Sequence, residues 1–398
     1  MGIFLDTLPM SGIVRIRDMM YTIQNPFRLD QGDVSFDAPE SFKQGMRKAI
    51  DANHTHYLPT LGVPRLRQLI AEKLRTKNGI PVGGDDEIIV TNGGTHGIYC
   101  ALHAVLEPGD EVICPDPLWP PSLAITQSAH AVPVQVPVHE SLGFRWDIDE
   151  LERAITPKTK AIYINSPTNP SGGAFTRGDL ERIAAIATAR KLWVFSDEAY
   201  EDVLFSGEHV SIASLPGMYE RTIPIYTMSK SYAVTGVRVG YIAIKDKVMR
   251  ARAAKVALYT ASNVCSIAQY GAIGALEGPQ DCIEEFKTEL KIRRDLFYAG
   301  LEDVAGHVFS GTPPEGAFYA FVKINPDWAR DLGLDQGPSV SWATAEYLIK
   351  HGRVGCVPGV DFGPASEGYL RFCTCRDRTE LTGALESMRT VFASATPV

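Results

Sequence analysis

Cysteine is scarce in this chain. Seven are scattered through 398 residues, an odd number, and no two stand in a CxxC spacing. That argues against a disulfide framework and against a zinc-binding or redox pair. The nearest pair, Cys373 and Cys375 in RFCTCRD, alternates as neighbours on a strand do. Free thiols buried in a cytoplasmic protein are the expectation. His54 and His56 in NHTHY are joined in sequence by no cluster of His, Cys and carboxylate, so no metal site is expected. Positive charge is also short: 39 Lys and Arg stand against 47 Asp and Glu, a net charge of −8. No basic run is present, which argues against a nucleic-acid or anionic-membrane partner. No apolar stretch nears the ~20 residues of a membrane span. The opening MGIFLDTLPMSGIVRIRDMM has early acid and no basic flank, unlike a secretory signal. Repeats and low-complexity linkers are absent as well. So are both GxGxxG and GxxxxGK[ST], which leaves a dinucleotide fingerprint and a nucleotide P-loop without support.

What is present is an alternation. EIIVT (87–91), EVICP (111–115), KAIYIN (160–165), LWVFSD (192–197), TIPIYT (222–227) and VGYIAI (239–244) are short apolar runs. Helical patterns such as THGIYCALHAVL and DLERIAAIATARK separate several of them. Short apolar strands between longer helices predict an α/β fold whose mostly parallel sheet is covered on both faces. Residues 246–305 read as helix. AFYAFVKI, a helix near 340–351, GYLRFCT and a final helix from Arg378 then form a smaller α+β unit. The first 45 residues have no clear core pattern and are expected to pack on that unit or on a partner subunit. The chain is long enough for two domains. The expected division is 48–285 for the larger one, and 1–47 with 286–398 for the smaller.

In open α/β sheets, ligands sit beyond the carboxyl ends of the strands. The residues just after each apolar run are therefore informative. IIVT leads into NGGTHG, which opens a helix. Such a turn is more often only a turn, but its free N–H groups suit a phosphate. Trp119 follows Pro115 and Pro117, and is either a core ring or a flat face for a flat ligand. SPTNPSGG contributes Asn169, an amide at the same edge. Asp197 ends LWVFSD, where a carboxylate is costly unless it caps a helix or pairs with a cation. TIPIYT is followed by Ser229, Lys230 and, eight residues beyond the lysine, Arg238. Hydroxyls with a cation suit a phosphate, and a buried lysine of lowered pKa can join an aldehyde. Arg371 stands inside the apolar run GYLRF, where it is either paired structurally or ready for a carboxylate. Each feature alone has a structural explanation. Together they specify a flat, phosphorylated, cationic aldehyde and an amino-acid substrate, which points to pyridoxal phosphate.

The same residues carry a resemblance over nearly the whole chain. HYLPTLGVPRLRQLI, PTNPSGG, SDEAY, SKSYAVTGVRVGY, EGAFYAF, VPGVDFG and GYLRF occur in the order found in the class I/II aminotransferases. Those are fold-type I pyridoxal-phosphate enzymes that include aspartate and aromatic aminotransferases. The resemblance implies that Lys230 carries the cofactor, that Asp197 pairs with its ring nitrogen, and that Tyr200 and Asn169 bond its ring oxygen. It implies that Trp119 stacks on the ring and that Gly94, Thr95, Thr227, Ser229 and Arg238 hold the phosphate. Tyr57 would reach the phosphate of a neighbouring subunit, which implies a homodimer with shared sites. Arg371, with Gly32 and Asn169 beside it, would bind the substrate carboxylate. The implied activity is ping-pong transfer of an amino group from an L-amino acid to a 2-oxo acid.

Four positions depart from the commonest pattern. Val237 precedes Arg238 where many aspartate-using relatives have tryptophan. Thr95 stands where some have lysine, Ser122 replaces an aromatic residue, and Ser11-Gly12-Ile13 replaces Ser-x-Thr. An aromatic or apolar donor and an aspartate-like donor therefore both stand as expectations. The alternative chemistry is a pyridoxal-phosphate lyase, a C–S lyase or decarboxylase, on the same fold. A sensor domain and a Rossmann oxidoreductase are poorer fits.

Overall fold

The computed structural model describes Asp6, Leu8 and residues 10–393. Residues 1–5, 7 and 9 of the opening stretch read as unlike a secretory signal lie outside them.

Seven strands form the large sheet: β1 (Ile88–Thr91), β2 (Glu111–Asp116), β3 (Val132–Pro137), β4 (Thr159–Asn165), β5 (Trp193–Asp197), β6 (Thr222–Thr227) and β7 (Gly240–Ala243). Their order is β1-β7-β6-β5-β4-β2-β3. The pairs β6–β5, β5–β4, β4–β2 and β2–β3 are parallel, while β7 runs against both β1 and β6. The expected mostly parallel α/β sheet is present. The runs expected as strands form, and β3 is an addition. VPVQVP carries two prolines, a sequence that reads as a break. It sits at the sheet edge, where a missing N–H is tolerated.

Helices cover both faces, as the unbroken apolar strands require. Arg177–Ala189 begins with a capping box, in which the Thr176 hydroxyl accepts from Asp179 N while the Asp179 carboxylate accepts from Thr176 N. Its Leu180, Ile183 and Ala187 are buried on the sheet. Lys247–Ala261 is capped by Asp246, which accepts from Val248 N and Met249 N.

The second sheet contains β8 (Phe309–Ser310), β9 (Tyr319–Ile324), β10 (Val357–Pro358) and β11 (Tyr369–Cys373), all antiparallel, in the order β10-β11-β9-β8. Leu370 and Phe372 of β11 share one hydrophobic cluster with the helices Asp281–Ala305, Val340–Gly352 and Arg378–Ala393. Ile16, Met20 and Leu29 are fully buried in that cluster, so this part of the N-terminal segment packs on the C-terminal unit. Phe42, in the helix Glu40–Asp51, instead joins the cluster around β1 and β7. Among the described residues, no helix is long and apolar enough to cross a membrane.

Candidate active site

The carboxyl ends of β1, β4, β5 and β6 meet at one edge of the large sheet. Because β7 is antiparallel, its beginning arrives at that same edge: Gly240 pairs with both Thr91 and Thr227. Arg238, two residues before Gly240, is thereby delivered beside the turn that follows β1. The backbones are in close contact here. A Cβ on Gly240 would come within 2.6 Å of Gly93 C and 2.7 Å of Gly94 N. Gly93 has φ +73°, and a Cβ there would lie 2.3 Å from Arg238 Nη2. Only glycine fits either position.

A cavity of about 250 Å³ opens at this edge. Gly94, Thr95, Thr227, Ser229 and Arg238, the group expected from the sequence to hold a phosphate, all line it. Gly93 and Gly94 begin the helix Gly93–Val105, so free backbone N–H groups, two hydroxyls and a guanidinium are gathered there. The Thr227 and Ser229 hydroxyls are 2.8 Å apart, and Thr227 Oγ1 accepts from Ser229 N at 3.2 Å. Arg238 is in the left-handed conformation (φ +62°), and its Nη1 donates to Thr235 O at 2.6 Å.

Lys230 follows immediately and lines the cavity too. Its Nζ donates to Gly32 O at 2.5 Å. Burial lowers its pKa, and no carboxylate among the described residues forms an ion pair with it. Asp197, 7% exposed, is the mirror case: burial pushes its carboxyl up to about 6. Its Oδ2 accepts from Tyr163 OH at 2.9 Å and its Oδ1 from Ala199 N at 3.2 Å, with no cation beside it among the described residues. The next residue makes the contrast plain. Glu198 is buried as well, but it accepts from Ser196, Ser211 and Tyr226 and bonds His209 at 2.9 Å. Those partners hold its carboxyl below the usual range. Glu198 is satisfied, whereas Asp197 faces the cavity without a counter-charge.

The small sheet contributes Arg371, which is 2% exposed. Its Nη1 donates to Asn169 Oδ1 at 3.1 Å and its Nη2 to Asp30 O at 2.6 Å. Its Nε is buried with no hydrogen-bond partner among the described residues. A buried guanidinium with a free N–H and no carboxylate is poised for an anionic ligand. Asn169 is oriented in turn, its backbone N donating to Asn165 Oδ1 at 2.9 Å. Tyr200, Trp119 and Gly32 also line the cavity. Ser122 does not line it; its hydroxyl donates to Trp119 O at 2.6 Å. Tyr57 is 90% exposed and lies outside this cavity. No group of three or more His, Cys, Asp or Glu among the described residues could hold a metal.

Sequence reasoning passed over several residues. Tyr319 lines the cavity, its hydroxyl 2.5 Å from that of Tyr200. Ile98, Asn165, Ala199 and Thr235 complete the lining, together with Ile13, which the sequence had already marked as a departure. Asn165 ends a strand and was legible by the same rule that selected Asp197. Tyr319 stands inside a β run and reads as core.

The fold and cavity define an α/β protein in which a helix start, two hydroxyls, a lysine, a carboxylate and two arginines gather at the strand-end edge of the large sheet. The model of aminotransferase class I and II matches residues 24–388, and the chain belongs to that family. The chain is 35% identical over 390 residues to aromatic-amino-acid aminotransferase 2 of Thermococcus litoralis, covering 97% of each chain. It is equally similar, 35% over 390 residues with 97% of each covered, to an aspartate aminotransferase of Pyrococcus abyssi. Among solved structures, the aspartate aminotransferase of Thermus thermophilus with maleate superposes with a TM-score of 0.88 at 31% identity, covering 98% of this chain and 99% of that one. The protein is an aminotransferase.

Proposed function

We propose that the protein uses pyridoxal 5′-phosphate to move amino groups from an L-amino acid with an aromatic or apolar side chain to a 2-oxo acid. One observation carries this reading: Lys230, Asp197 and Arg371 converge on one cavity, the carboxylate and the guanidinium buried and the lysine half-buried, and none has an ionic partner among the described residues. The residues present fit the cofactor. The glycine turn at the helix start, with Thr227, Ser229 and Arg238, suits its phosphate. Asp197 suits a protonated ring nitrogen, Asn169 and Tyr200 the ring oxygen, and Trp119 the ring face.

When bound, the cofactor supplies an aldehyde that condenses with amines and a ring that draws electron density from the substrate's Cα. The chain's residues do the rest. Arg371 orients the substrate through its α-carboxylate, beside Gly32. Lys230, whose burial favours the neutral amine, accepts the proton from Cα. Asp197, charged and fixed, favours the electron-rich state of the ring.

The donor class rests on the lining. The cations that line the cavity are Lys230, Arg238 and Arg371, and each already has a task. A carboxylate on the donor's side chain would meet no free cation of this chain among the described residues, and such burial is costly. Ile13, Ile98 and Tyr319 instead offer apolar surface.

The same proposal includes a homodimer, supported by the exposure of Tyr57, a large aromatic side chain that lies outside this chain's own cavity. It includes two units, 48–285 and 1–47 with 286–398, with the helix Glu40–Asp51 riding on the larger. It also includes a cytoplasmic setting, in keeping with seven unpaired thiols. The test is borohydride reduction of the cofactor-loaded enzyme followed by peptide mapping. The cofactor's mass is expected on the peptide containing Lys230. Attachment at another lysine, or at none, would contradict the assignment.

A further inference from the structure

Tyr163 lies on β4, 1% exposed, outside the cavity. Its ring belongs to an apolar cluster with Cys114, Leu118 and Phe195. Phenylalanine would fill that space. The hydroxyl therefore needs its own explanation, because a buried O–H is costly without a partner. It donates to no backbone carbonyl but to Asp197 Oδ2, at 2.9 Å, with the Ser122 hydroxyl as its other neighbour. The register makes this contact: Asn165 pairs with Asp197 across β4 and β5, and Tyr163, two residues back on the same face, pairs with Phe195.

We propose that Tyr163 is a positioning residue, whose hydroxyl keeps the Asp197 carboxylate ionised and aimed into the cavity at a cationic ring nitrogen. This rests on the cofactor reading above. A carboxylate has about four acceptor sites. Tyr163 and Ala199 N occupy one on each oxygen, which fixes the plane of the group and leaves the cavity side open. Burial opposes the charge on Asp197, and the neighbouring Glu198 opposes it further. Glu198 is in turn held by His209. Tyr200 lies within electrostatic reach of Asp197, and Cys114 of β2 faces Tyr163; burial pushes both of these groups up, so both stay neutral. Tyr163 is itself pushed well above the ordinary phenol value by burial and remains a donor across the working range. Among these neighbours, its hydroxyl and Ala199 N are the groups that favour the ionised carboxylate.

The test is pyridoxal-phosphate binding to the apoenzyme as a function of pH, read by quenching of tryptophan fluorescence. Wild type, Tyr163→Phe and a protein with 3-fluorotyrosine at 163 are compared. Binding by the wild type is expected to weaken on the acid side as Asp197 protonates. Tyr163→Phe should move that limb up by about one to two pH units, the worth of one hydrogen bond to a carboxylate. Fluorotyrosine, a stronger donor, should move it down. In an Asp197→Asn background, Tyr163→Phe should change affinity by less than about twofold, because the two residues act as one unit. A folded Tyr163→Phe protein with the wild-type limb would overturn the proposal. If that variant does not fold, an unmoved limb in the fluorotyrosine protein would overturn it. A wild type that binds no pyridoxal phosphate at any pH would overturn the cofactor reading itself, and this inference with it.

Discussion

Arg371 and Asp197 show how a single buried charge acquires meaning from what is not beside it. Arg371 gives two of its donors to Asn169 and Asp30 and keeps Nε unsatisfied. Arg371→Ala should therefore lower kcat/KM by about 10²–10³-fold, as expected for a lost charge-assisted pair. Cofactor affinity should change less than about threefold; an equal loss of both would make the residue structural. Asp197 carries a pH signature. Its carboxyl is pushed up to about 6 from 3.8 by burial. A raised folded-state value means that the apoprotein's stability from this group is complete below about pH 4 and lost as pH rises through about 6. Asp116 and Asp361, also pushed up to about 6 by burial, act in the same direction. Comparison with Asp197→Asn isolates the one group. Between pH 4 and 7.5, the apo wild type should lose about 2–3 kcal/mol more stability than Asp197→Asn in urea titrations. A parallel course for the two proteins would contradict the burial argument.

At the scale of elements, the reversed strand β7 is what assembles the end of the cavity proposed to hold the phosphate. It brings Arg238 to an edge otherwise built from strand ends, and Gly240 makes room for the turn after β1. Gly240→Ala should cost about 1–3 kcal/mol of stability by thermal or urea unfolding, because backbone atoms and not a flexible side chain oppose the new Cβ. It should weaken cofactor binding in the same variant. The sequence made most of this edge legible. Asn169, Asp197, Lys230 and Arg238 are polar groups placed where apolar runs stop. Arg371 stood out even inside an apolar run because it is charged; what stayed hidden was the tyrosine hydroxyls inside runs, whose rings read as core. Tyr163 and Tyr319 alternate with core residues, and only the folded register shows that one hydroxyl meets Asp197 and the other Tyr200. The strand β3 was hidden for another reason: its prolines read as a break, and only an edge position accommodates them.

At the scale of the molecule, the cavity lies where the two sheets approach, with Arg371 from the small one and Lys230 and Asp197 from the large one. Neither sheet alone can build it. Tyr57, exposed and outside its own cavity, extends the argument to a second copy. Sedimentation equilibrium should therefore give about 87 kDa, twice the 43.5 kDa chain; a value of one chain at micromolar concentration would remove Tyr57 from the account. The central claim is that this seam holds pyridoxal phosphate on Lys230 and transfers amino groups through it. The most direct measurement is the visible spectrum of the reconstituted enzyme mixed with an aromatic amino acid and no oxo-acid acceptor. The account predicts a yellow wild-type protein that bleaches while forming one equivalent of the matching oxo acid, with aspartate slower by about tenfold or more. It also predicts that Lys230→Ala loses at least about 10³-fold in rate. A wild type that gains no visible band with pyridoxal phosphate, or a Lys230→Ala protein that reacts at the wild-type rate, would contradict it.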